Sequence, residues 1–223
     1  MSAAPIPPPV VRSAVAADTD WLVTAIIEAE KSGTDATLFR RVFALDETAE
    51  RAALASILAE DVSGSELAVE SFLVAELDGV RAGCIATWIE ADDGPPSSHV
   101  KATLWSHVLG APVFRAAAPA LKRTSAIDIP REKGALQIES VFVEPAFRGR
   151  RVVSTLVARA LERTKAERPD VQKAQILSVL ENTASAKAFA HAGFARARET
   201  SSSDPDLRMI FPGSGRILWE RAL

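Results

Sequence analysis

The sequence predicts an α/β protein of the α+β kind, with a central mixed, mostly antiparallel sheet of about six or seven strands flanked by helices. Three observations predict it. Residues 71–89 read as a hairpin, because two apolar runs flank the turn pair Asp78-Gly79. Residues 135–167 and 174–192 each read as an apolar strand followed by an amphipathic helix. A hairpin followed by two strand–helix units is typical of a mixed sheet.

The N-terminal part supplies one further strand and two helical regions. Residues 10–15 predict a strand, and Asp18, Thr19 and Asp20 supply capping groups for the helix that follows. Residues 37–58 predict helix in two pieces, because apolar residues recur at helical spacing among many alanines.

The C-terminal part begins with an insertion over residues 90–134. In it a loop precedes helical pieces that break at residues 110–112 and at Pro119. Beyond the two strand–helix units, residues 195–199 and 215–223 predict the last two strands. We expect residues 10–223 to form a single domain, because the sequence has no internal repeat and no long linker.

Composition excludes several classes of protein. The chain has 223 residues, 48% of them hydrophobic and 25% charged, with a formal net charge of −3. This profile is that of a soluble globular protein and gives nonspecific nucleic-acid binding little electrostatic support. No apolar run approaches the roughly 20 residues that a membrane-spanning helix needs. Residues 1–9 are rich in proline and are expected to form a disordered arm, and the single cysteine favours a reducing, cytoplasmic location.

The most informative segment is residues 137–156, an apolar strand, a turn and the start of a long helix. Arg148, Arg150 and Arg151 surround Gly149 where this helix begins, although a helix dipole disfavours cations there. Free backbone N–H groups at a helix start bind anions. The arrangement therefore predicts a phosphate site, and the alternative is a solvated basic helix end.

Two segments, VFVEPAFRGRR at residues 141–151 and NTASAKAFAHAGF at residues 182–194, resemble the coenzyme-binding motifs of the Gcn5-related N-acetyltransferase (GNAT) superfamily. The resemblance implies a sheet splayed between its fourth and fifth strands, with acetyl-CoA as acyl donor in the opening and no metal. It implies direct transfer of the acyl group to an amine of a small molecule or peptide, and the family suggests a homodimer. No nucleic-acid or membrane partner is expected, from the net charge and the lack of a long apolar run. The alternative is a catalytically weak or inactive acyl-CoA-binding or regulatory module of the same fold.

The resemblance also assigns residues to the cofactor. The assigned residues are Val141, Phe142 and Val143 through their backbone, the phosphate turn of Arg148, Gly149, Arg150, Arg151, Val152, Val153 and Ser154, and Asn182 and Phe189. Asn182 is alternatively an ordinary helix cap.

The sequence departs from the family pattern at three positions. Arg151 replaces the middle glycine of the turn and Val153 its last small residue, which makes close approach of a phosphate to the backbone harder. Phe189 falls where many members carry a tyrosine that protonates the leaving thiolate, and the chain has no tyrosine. These departures weaken the expected mechanism and leave the expected fold unchanged.

Glu139 is the candidate proton acceptor. It lies two residues before Val141 on the predicted strand, and the period of two places both side chains on one face. A carboxylate there can take a proton from an ammonium group, directly or through water. The alternative role is a structural ion pair, and Glu76 and Glu90 are weaker candidates at the ends of the hairpin.

The insertion replaces what is a short turn in the family and would lie over the acceptor side of the opening. Its second part is rich in basic residues: Lys101, Arg115, Lys122, Arg123, Arg131 and Lys133. This bias favours an acceptor that carries a carboxylate or phosphate, or a contact with the adenosine phosphate of the coenzyme. A dimer contact or a solvated face fits equally well.

The remaining reactive side chains suggest no further chemistry. His99, His107 and His191 lack the clustered spacing of metal ligands, so no metal site is predicted. His107 is a minor candidate for a base at the acceptor site. Cys84 lies in an apolar strand and reads as a small buried residue rather than a nucleophile.

Overall fold

Seven strands form one mixed sheet in the computed structural model, which describes residues 8–223. The strands are β1 (Val10–Ser13), β2 (Phe72–Leu77), β3 (Val80–Ile89), β4 (Leu136–Val143), β5 (Lys173–Val179), β6 (Ala195–Ser201) and β7 (Gly215–Ala222). Their order is β1-β2-β3-β4-β5-β7-β6, with β4 and β5 parallel and the other neighbours antiparallel. The predicted fold class is confirmed. Residues 1–7, most of the predicted arm, lie outside the described residues.

Helices cover both faces of this sheet. They are α1 (Thr19–Lys31), α2 (Leu38–Phe43), α3 (Glu47–Glu60), α4 (Ser97–Leu109), α5 (Ala111–Ala116), α6 (Ala118–Ser125), α7 (Val152–Glu167), α8 (Thr183–His191) and α9 (Leu207–Ile210). The buried side chains of α1 to α4 form one apolar core on one face, and those of α7 and α8 form a second core on the other. No helix within residues 8–223 is long and apolar enough to cross a membrane.

The insertion forms three helices, as the pattern of breaks predicts. Gly110 ends α4 and precedes α5 with a φ of +80°, a conformation that glycine adopts without strain. Pro119 lies in the first turn of α6, where its missing N–H leaves no helical hydrogen bond unmade. The insertion thereby builds a second layer over α2 and α3 on the α1 face.

A β-bulge interrupts β4 at Ser140, which has a φ of +49°. Between its pairings with Ala86 and Cys84, β4 carries one more residue than β3. A bulge of this kind shifts the alternation of side chains along the strand.

The bulge places Glu139 and Val141 on opposite faces of the sheet. Glu139 lies opposite Ala86, whose side chain belongs to the core under α1, whereas Val141 packs against the core under α7. Residues directly opposite each other in an antiparallel pair share a face. The prediction that Glu139 and Val141 share a face is therefore wrong, because it assumed an uninterrupted strand.

Candidate active site

The parallel strands β4 and β5 separate after a short paired segment. Their pairing runs from Leu136 and Ala174 to Ile138 and Ile176, and it ends there although both strands continue. The gap opens into a cavity of about 130 Å³. Its walls are residues 139–141 of β4, residues 176–179 of β5 and side chains of α1 and α8. The polar edge of β4 beyond Ile138 thus borders a cavity instead of a neighbouring strand.

The turn before α7 presents backbone N–H groups at the end of β4. Arg151 is the N-cap residue with φ +61° and ψ +19°, and no side chain of residues 8–223 caps the helix. The N–H groups of Val152, Val153 and Ser154 belong to the first turn of α7 and have no intrahelical acceptor. Such a helix start is complementary to an anion.

Arg151 occupies a backbone conformation that favours glycine. The left-handed region costs a residue with a side chain roughly 1–2 kcal/mol. Gly149, two residues earlier, also has a positive φ of +77°. The turn therefore keeps the backbone path of a glycine-rich loop although only one of these two positions is glycine, and the strain is retained at Arg151.

Three guanidinium groups lie at this helix start without an acidic partner. Arg148, Arg150 and Arg151 are exposed, and they form no ion pair within residues 8–223. Arg148 Nε donates to the backbone oxygen of Val143 at 3.4 Å, which ties the turn to the end of β4. A cluster of cations at the positive end of a helix dipole is electrostatically unfavourable unless an anion joins it.

Gly83 on β3 sets the distance between α7 and the sheet. A Cβ atom there would lie 2.5 Å from the Phe142 carbonyl oxygen and 2.9 Å from Val152 Cγ1. Val152, the first residue of α7, is buried against this position. The absence of a side chain at Gly83 lets the helix start lie directly over the end of β4.

Helix α8 supplies the far wall of the opening. Asn182 caps α8, since its Oδ1 accepts from the backbone N–H of Ser185 at 3.0 Å, and it also lines the cavity. Phe189 is buried, lines the same cavity and meets the Trp219 ring edge-on at 6.3 Å. The Trp219 indole N–H donates to Ser178 Oγ at 2.9 Å, which places a hydroxyl group on the β5 wall.

A second, larger cavity of about 310 Å³ adjoins the opening on the α1 face. The two cavities share Glu30, Leu38, Glu139 and Arg216 as lining residues. Helices α2, α4, α5 and α6 contribute the rest of its wall together with the segment between α6 and β4. The predicted insertion therefore covers the face of the sheet opposite α7 and helps to enclose this cavity.

Glu139 forms a largely buried ion pair at the junction of the two cavities. Its carboxylate contacts the guanidinium of Arg131, and the side chains are 15% and 10% exposed, respectively. The guanidinium of Arg131 also lies 5.5 Å from the Trp88 ring centre. The ion-pair alternative considered for Glu139 thus describes its contact in the structure.

Glu30 is a second carboxylate at this junction, and sequence reasoning missed it. It is half-buried, lies in the last turn of α1 and has no hydrogen-bond or ion-pair partner within residues 8–223. Burial raises the pKa of Glu30, and the nearby carboxylates of Glu66 and Glu50 add to the rise against Lys101 and Arg216. The negative end of the helix dipole also disfavours an anion there.

The weaker candidates have structural roles. Glu90 is buried and accepts from the Trp88 indole N–H at 3.0 Å and from the backbone N–H of Ser97 at 2.9 Å, so it holds the start of α4. Glu76 pairs with Arg12 at the far edge of the sheet. His107 is exposed on α4 and does not line either cavity.

The remaining reactive side chains lie apart from the junction. Cys84 is fully buried in the α1-side core and burial raises the pKa of its thiol, so the reading of a packed residue is confirmed. Among residues 8–223 no group of three or more His, Cys, Asp or Glu side chains is placed to hold a metal ion.

These features match a known family of enzymes. The sequence model of the "Acetyltransferase (GNAT) family" matches residues 41–194, which is more than half of the chain and includes β4, the phosphate turn and α8. The chain belongs to the GNAT acetyltransferase family. The resemblance inferred from the two motifs is confirmed. Membership of this family identifies the GNAT protein as an acetyltransferase. Comparison with curated proteins gives no match.

Solved structures support the GNAT fold over nearly the whole chain. An N-acetyltransferase from Staphylococcus aureus Mu50 is 14% identical, with a TM-score of 0.65, and the alignment covers 96% of this chain and 100% of that one. A Drosophila melanogaster polyamine N-acetyltransferase, described as catalysing the formation of N-acetylagmatine, is 16% identical with a TM-score of 0.55. That alignment covers 96% and 100% of the two chains. At 14% and 16% sequence identity, these structural similarities are evidence for the fold alone.

The sequence does contain a signal for Glu30. It follows Val23 and Ile26 at spacings of seven and four, so helical periodicity places it on the buried face of α1. The buried face of a helix normally carries apolar side chains, and the last turn disfavours an anion because of the helix dipole. Glu30 departs from both rules, and such conflicts concentrate at functional sites.

Proposed function

We propose that this GNAT protein transfers an acetyl group from acetyl-CoA directly to an amine that enters from the second cavity. In this proposal the β4–β5 opening holds the pantetheine arm and the turn at residues 148–154 holds the pyrophosphate. The observation that carries it is the opening itself, which borders the edge of β4 where pairing with β5 has ended and shares four lining residues with the second cavity. The two substrates can then approach one reaction point from opposite faces of the sheet.

The residues of the opening fit the coenzyme. The edge of β4 from Val141 to Val143 offers backbone amides and carbonyls at the place where pairing with β5 has ended. The first turn of α7 offers N–H groups, and the three exposed arginines offer positive charge to a diphosphate. Asn182 keeps its side-chain NH₂ group for a contact in the opening, because capping engages only its oxygen.

The bound coenzyme would supply a thioester, and attack by the amine nitrogen would form an amide and release a thiol. The ammonium form of the acceptor must first lose a proton, and two carboxylates border the junction. Glu139 remains our proposed acceptor from the sequence, but Arg131 already engages it. Glu30 has no such partner among the described residues, and its raised pKa makes it the stronger base candidate.

The leaving thiolate must gain a proton, and Phe189 cannot donate one. Four serines line the opening, and two of them, Ser178 on β5 and Ser185 on α8, lie on the same two elements as the walls near Phe189. Ser185 lies one helical turn before Phe189 and therefore on the same side of α8. We propose that these hydroxyls, directly or through water, deliver the proton that a tyrosine delivers in many family members.

The first test is a calorimetric titration of the full-length protein with acetyl-CoA, with desulfo-CoA and adenosine as comparison ligands. Binding of desulfo-CoA but not of adenosine would support recognition of the diphosphate and pantetheine. Arg150→Ala should weaken acetyl-CoA binding by about fivefold or more, because a charged hydrogen bond contributes roughly 1.5–3 kcal/mol before solvent screening.

Arg159→Ala is the matched control. Arg159 is exposed on the same helix, two turns beyond the phosphate turn, and should leave the affinity unchanged. Equal effects of the two substitutions, or no binding of acetyl-CoA by the wild-type protein, would overturn the proposal. Acetylated product from an amine panel then separates an enzyme from a module that only binds the coenzyme.

A further inference from the structure

The second cavity balances its charges internally, with one exception. Each of its three basic side chains has a carboxylate nearby: Lys101 contacts Glu66, Arg131 contacts Glu139, and Arg216 lies 3.8 Å from Asp128 without a hydrogen bond to it. Glu30 also lines the cavity and is the carboxylate without an ion-pair partner among residues 8–223. Within the described part of the chain, Glu30 is therefore the one charged group of the cavity without an ion-pair partner, and its charge is negative.

This balance changes the interpretation of the basic insertion. Lys101 and Arg131 are the two basic residues of the insertion that line the cavity, and both are occupied by carboxylates. Arg123 pairs with Asp204 and Asp206 on the surface. Within the described residues, every cation that lines the cavity thus has a carboxylate within 3.8 Å, which disfavours its use by an acceptor carboxylate or phosphate.

Four aromatic side chains form one part of the cavity wall. Phe39 and Phe43 of α2 pack on Trp105 of α4 with ring centres 4.6 and 5.3 Å apart, and Phe114 of α5 lies 5.8 Å from Phe43. All four rings line the cavity. A wall of this kind recognises an apolar or aromatic group by burial of area and by ring stacking.

We propose that the acceptor is a primary monoamine with an uncharged aromatic body, whose ammonium group meets Glu30 and whose ring lies against Phe43, Trp105 and Phe114. This inference rests on the proposed function and adds the chemical class of the acceptor. Glu30 lines both cavities, so an amine held there stands at the entrance to the β4–β5 opening. The four aromatic side chains line the larger cavity and not the opening.

The volume agrees with a small acceptor. About 310 Å³ is near the lower end of the roughly 300–1,000 Å³ usual for small-molecule sites. A second cation on the acceptor would enter a wall of rings and already paired charges, where its desolvation is not compensated. An α-carboxylate would lie beside Glu30 and Glu139 and be repelled.

Direct binding tests the inference without catalysis. Calorimetry of the protein saturated with coenzyme A, which carries no acyl group, would compare phenethylamine, L-phenylalanine and agmatine. Phenylalanine differs from phenethylamine by its carboxylate, and agmatine replaces the ring by a second cation. We expect phenethylamine to bind at least tenfold more tightly than either.

Two variants assign the selectivity to named residues. Glu30→Gln should reduce the preference for phenethylamine over the uncharged 2-phenylethanol by about tenfold, because a charge-assisted contact is lost. Phe114 is half-buried, and Phe114→Ala should weaken phenethylamine binding about fivefold or more while leaving ethylamine binding unchanged. His107→Ala, an exposed change on the insertion, is the control for both.

The outcomes separate this inference from the proposed function. Tighter binding of agmatine or of phenylalanine, or coenzyme binding without binding of any of the amines, would overturn the acceptor class and leave the coenzyme site intact. An unchanged preference in Glu30→Gln, with its thermal unfolding still cooperative, would also overturn it. Failure of coenzyme A to bind would count against the proposed function, and the amines would then be titrated into the unliganded protein to decide the acceptor class.

Discussion

Glu30 on α1 and Glu139 on β4 border the same junction, but of the two only Glu139 has an ion-pair partner within residues 8–223. Arg131 stabilises the charge of Glu139 there. Glu30 has no such partner there, and burial together with the negative end of the helix dipole disfavours its ionised form. The protein therefore carries an electrostatic cost at Glu30, which a bound ammonium group would remove.

Glu30→Gln should raise the melting temperature at pH 8. An acid whose pKa is higher in the folded state than in the unfolded state destabilises the fold when it is ionised. The gain should shrink as the pH falls and disappear below the unfolded value of about 4.3, where the wild-type carboxyl is protonated in both states. Thermal unfolding followed by circular dichroism from pH 8 to pH 4 measures this dependence.

Glu28→Gln is the control for that experiment. Glu28 lies on the same helix, is exposed and pairs with Lys31 at 2.6 Å. An exposed pair contributes about 0–1 kcal/mol, so this variant should be equal to or slightly less stable than the wild type. If Glu30→Gln behaves like Glu28→Gln at pH 8, Glu30 is not strained and its proposed role loses its electrostatic basis.

Arg151→Gly and Arg151→Ala should differ in stability although both remove the same charge. Glycine adopts the φ of +61° found at Arg151 without steric cost, whereas alanine retains the strain. We expect the glycine variant to be more stable than the alanine variant by about 1 kcal/mol. Both should weaken acetyl-CoA binding to a similar degree, since both lose the guanidinium.

Urea unfolding and calorimetric titration of the two variants measure these quantities. Equal stability would mean that the left-handed conformation is not maintained at residue 151. Tighter coenzyme binding by the glycine variant than by the wild type would mean that backbone approach limits binding more than charge does. Both results would revise the account of this turn.

Local sequence signals were sufficient to predict most elements of the fold. The Asp78-Gly79 turn fixes the β2–β3 hairpin, and the glycine and arginine pattern at residues 148–151 marks the start of α7. The position of β7 between β5 and β6 was not predicted, because it depends on pairing between strands remote in sequence. Contacts of that kind leave no periodic signal in a single sequence.

The sequence predicted the segments proposed to bind the coenzyme and the position of the insertion, but not the residues that line the second cavity. The backbone of β4 and the α7 turn are contiguous segments, so motif spacing could locate them. The second cavity combines residues of α1, α2, α4 and α5 that only tertiary packing brings together. The bulge at Ser140 also escaped prediction, since no glycine marks its positive φ, and it reversed the face expected for Glu139.

Gly83→Ala should destabilise the protein and weaken coenzyme binding together. The new methyl group would overlap the Phe142 carbonyl oxygen and Val152, and overpacking of this kind typically costs about 1–3 kcal/mol. Relief of the overlap moves the start of α7 away from β4, which displaces the N–H groups proposed to bind the pyrophosphate. Chemical unfolding and acetyl-CoA titration of the same preparation measure both effects.

Gly94→Ala is the matched change, because a Cβ atom there meets no atom within 4 Å. It should alter neither stability nor affinity by a measurable amount. Loss of stability in Gly83→Ala with full coenzyme affinity would separate the packing of α7 from binding. The proposal that Gly83 positions the turn at residues 148–154 for the pyrophosphate would then be wrong.

Phe189→Tyr should increase turnover once an acetylated product has been identified. Phe189 lines the opening one turn after Ser185, so a hydroxyl on its ring adds a proton donor beside the proposed thiolate position. General acid–base groups contribute about 10²–10⁴-fold when neighbours position them. We expect a smaller rise of about tenfold, because the packing around this ring has been set for phenylalanine.

Release of thiol measured against pH tests this expectation, with Phe194→Tyr as the control. Phe194 is buried in the same core but does not line the opening, so its hydroxyl adds strain without a proton donor. A turnover that does not rise in Phe189→Tyr, with acetyl-CoA affinity retained, would mean that protonation of the thiolate does not limit the rate. Either Ser178→Ala or Ser185→Ala would then be expected to lower turnover, because one of these hydroxyls already delivers the proton.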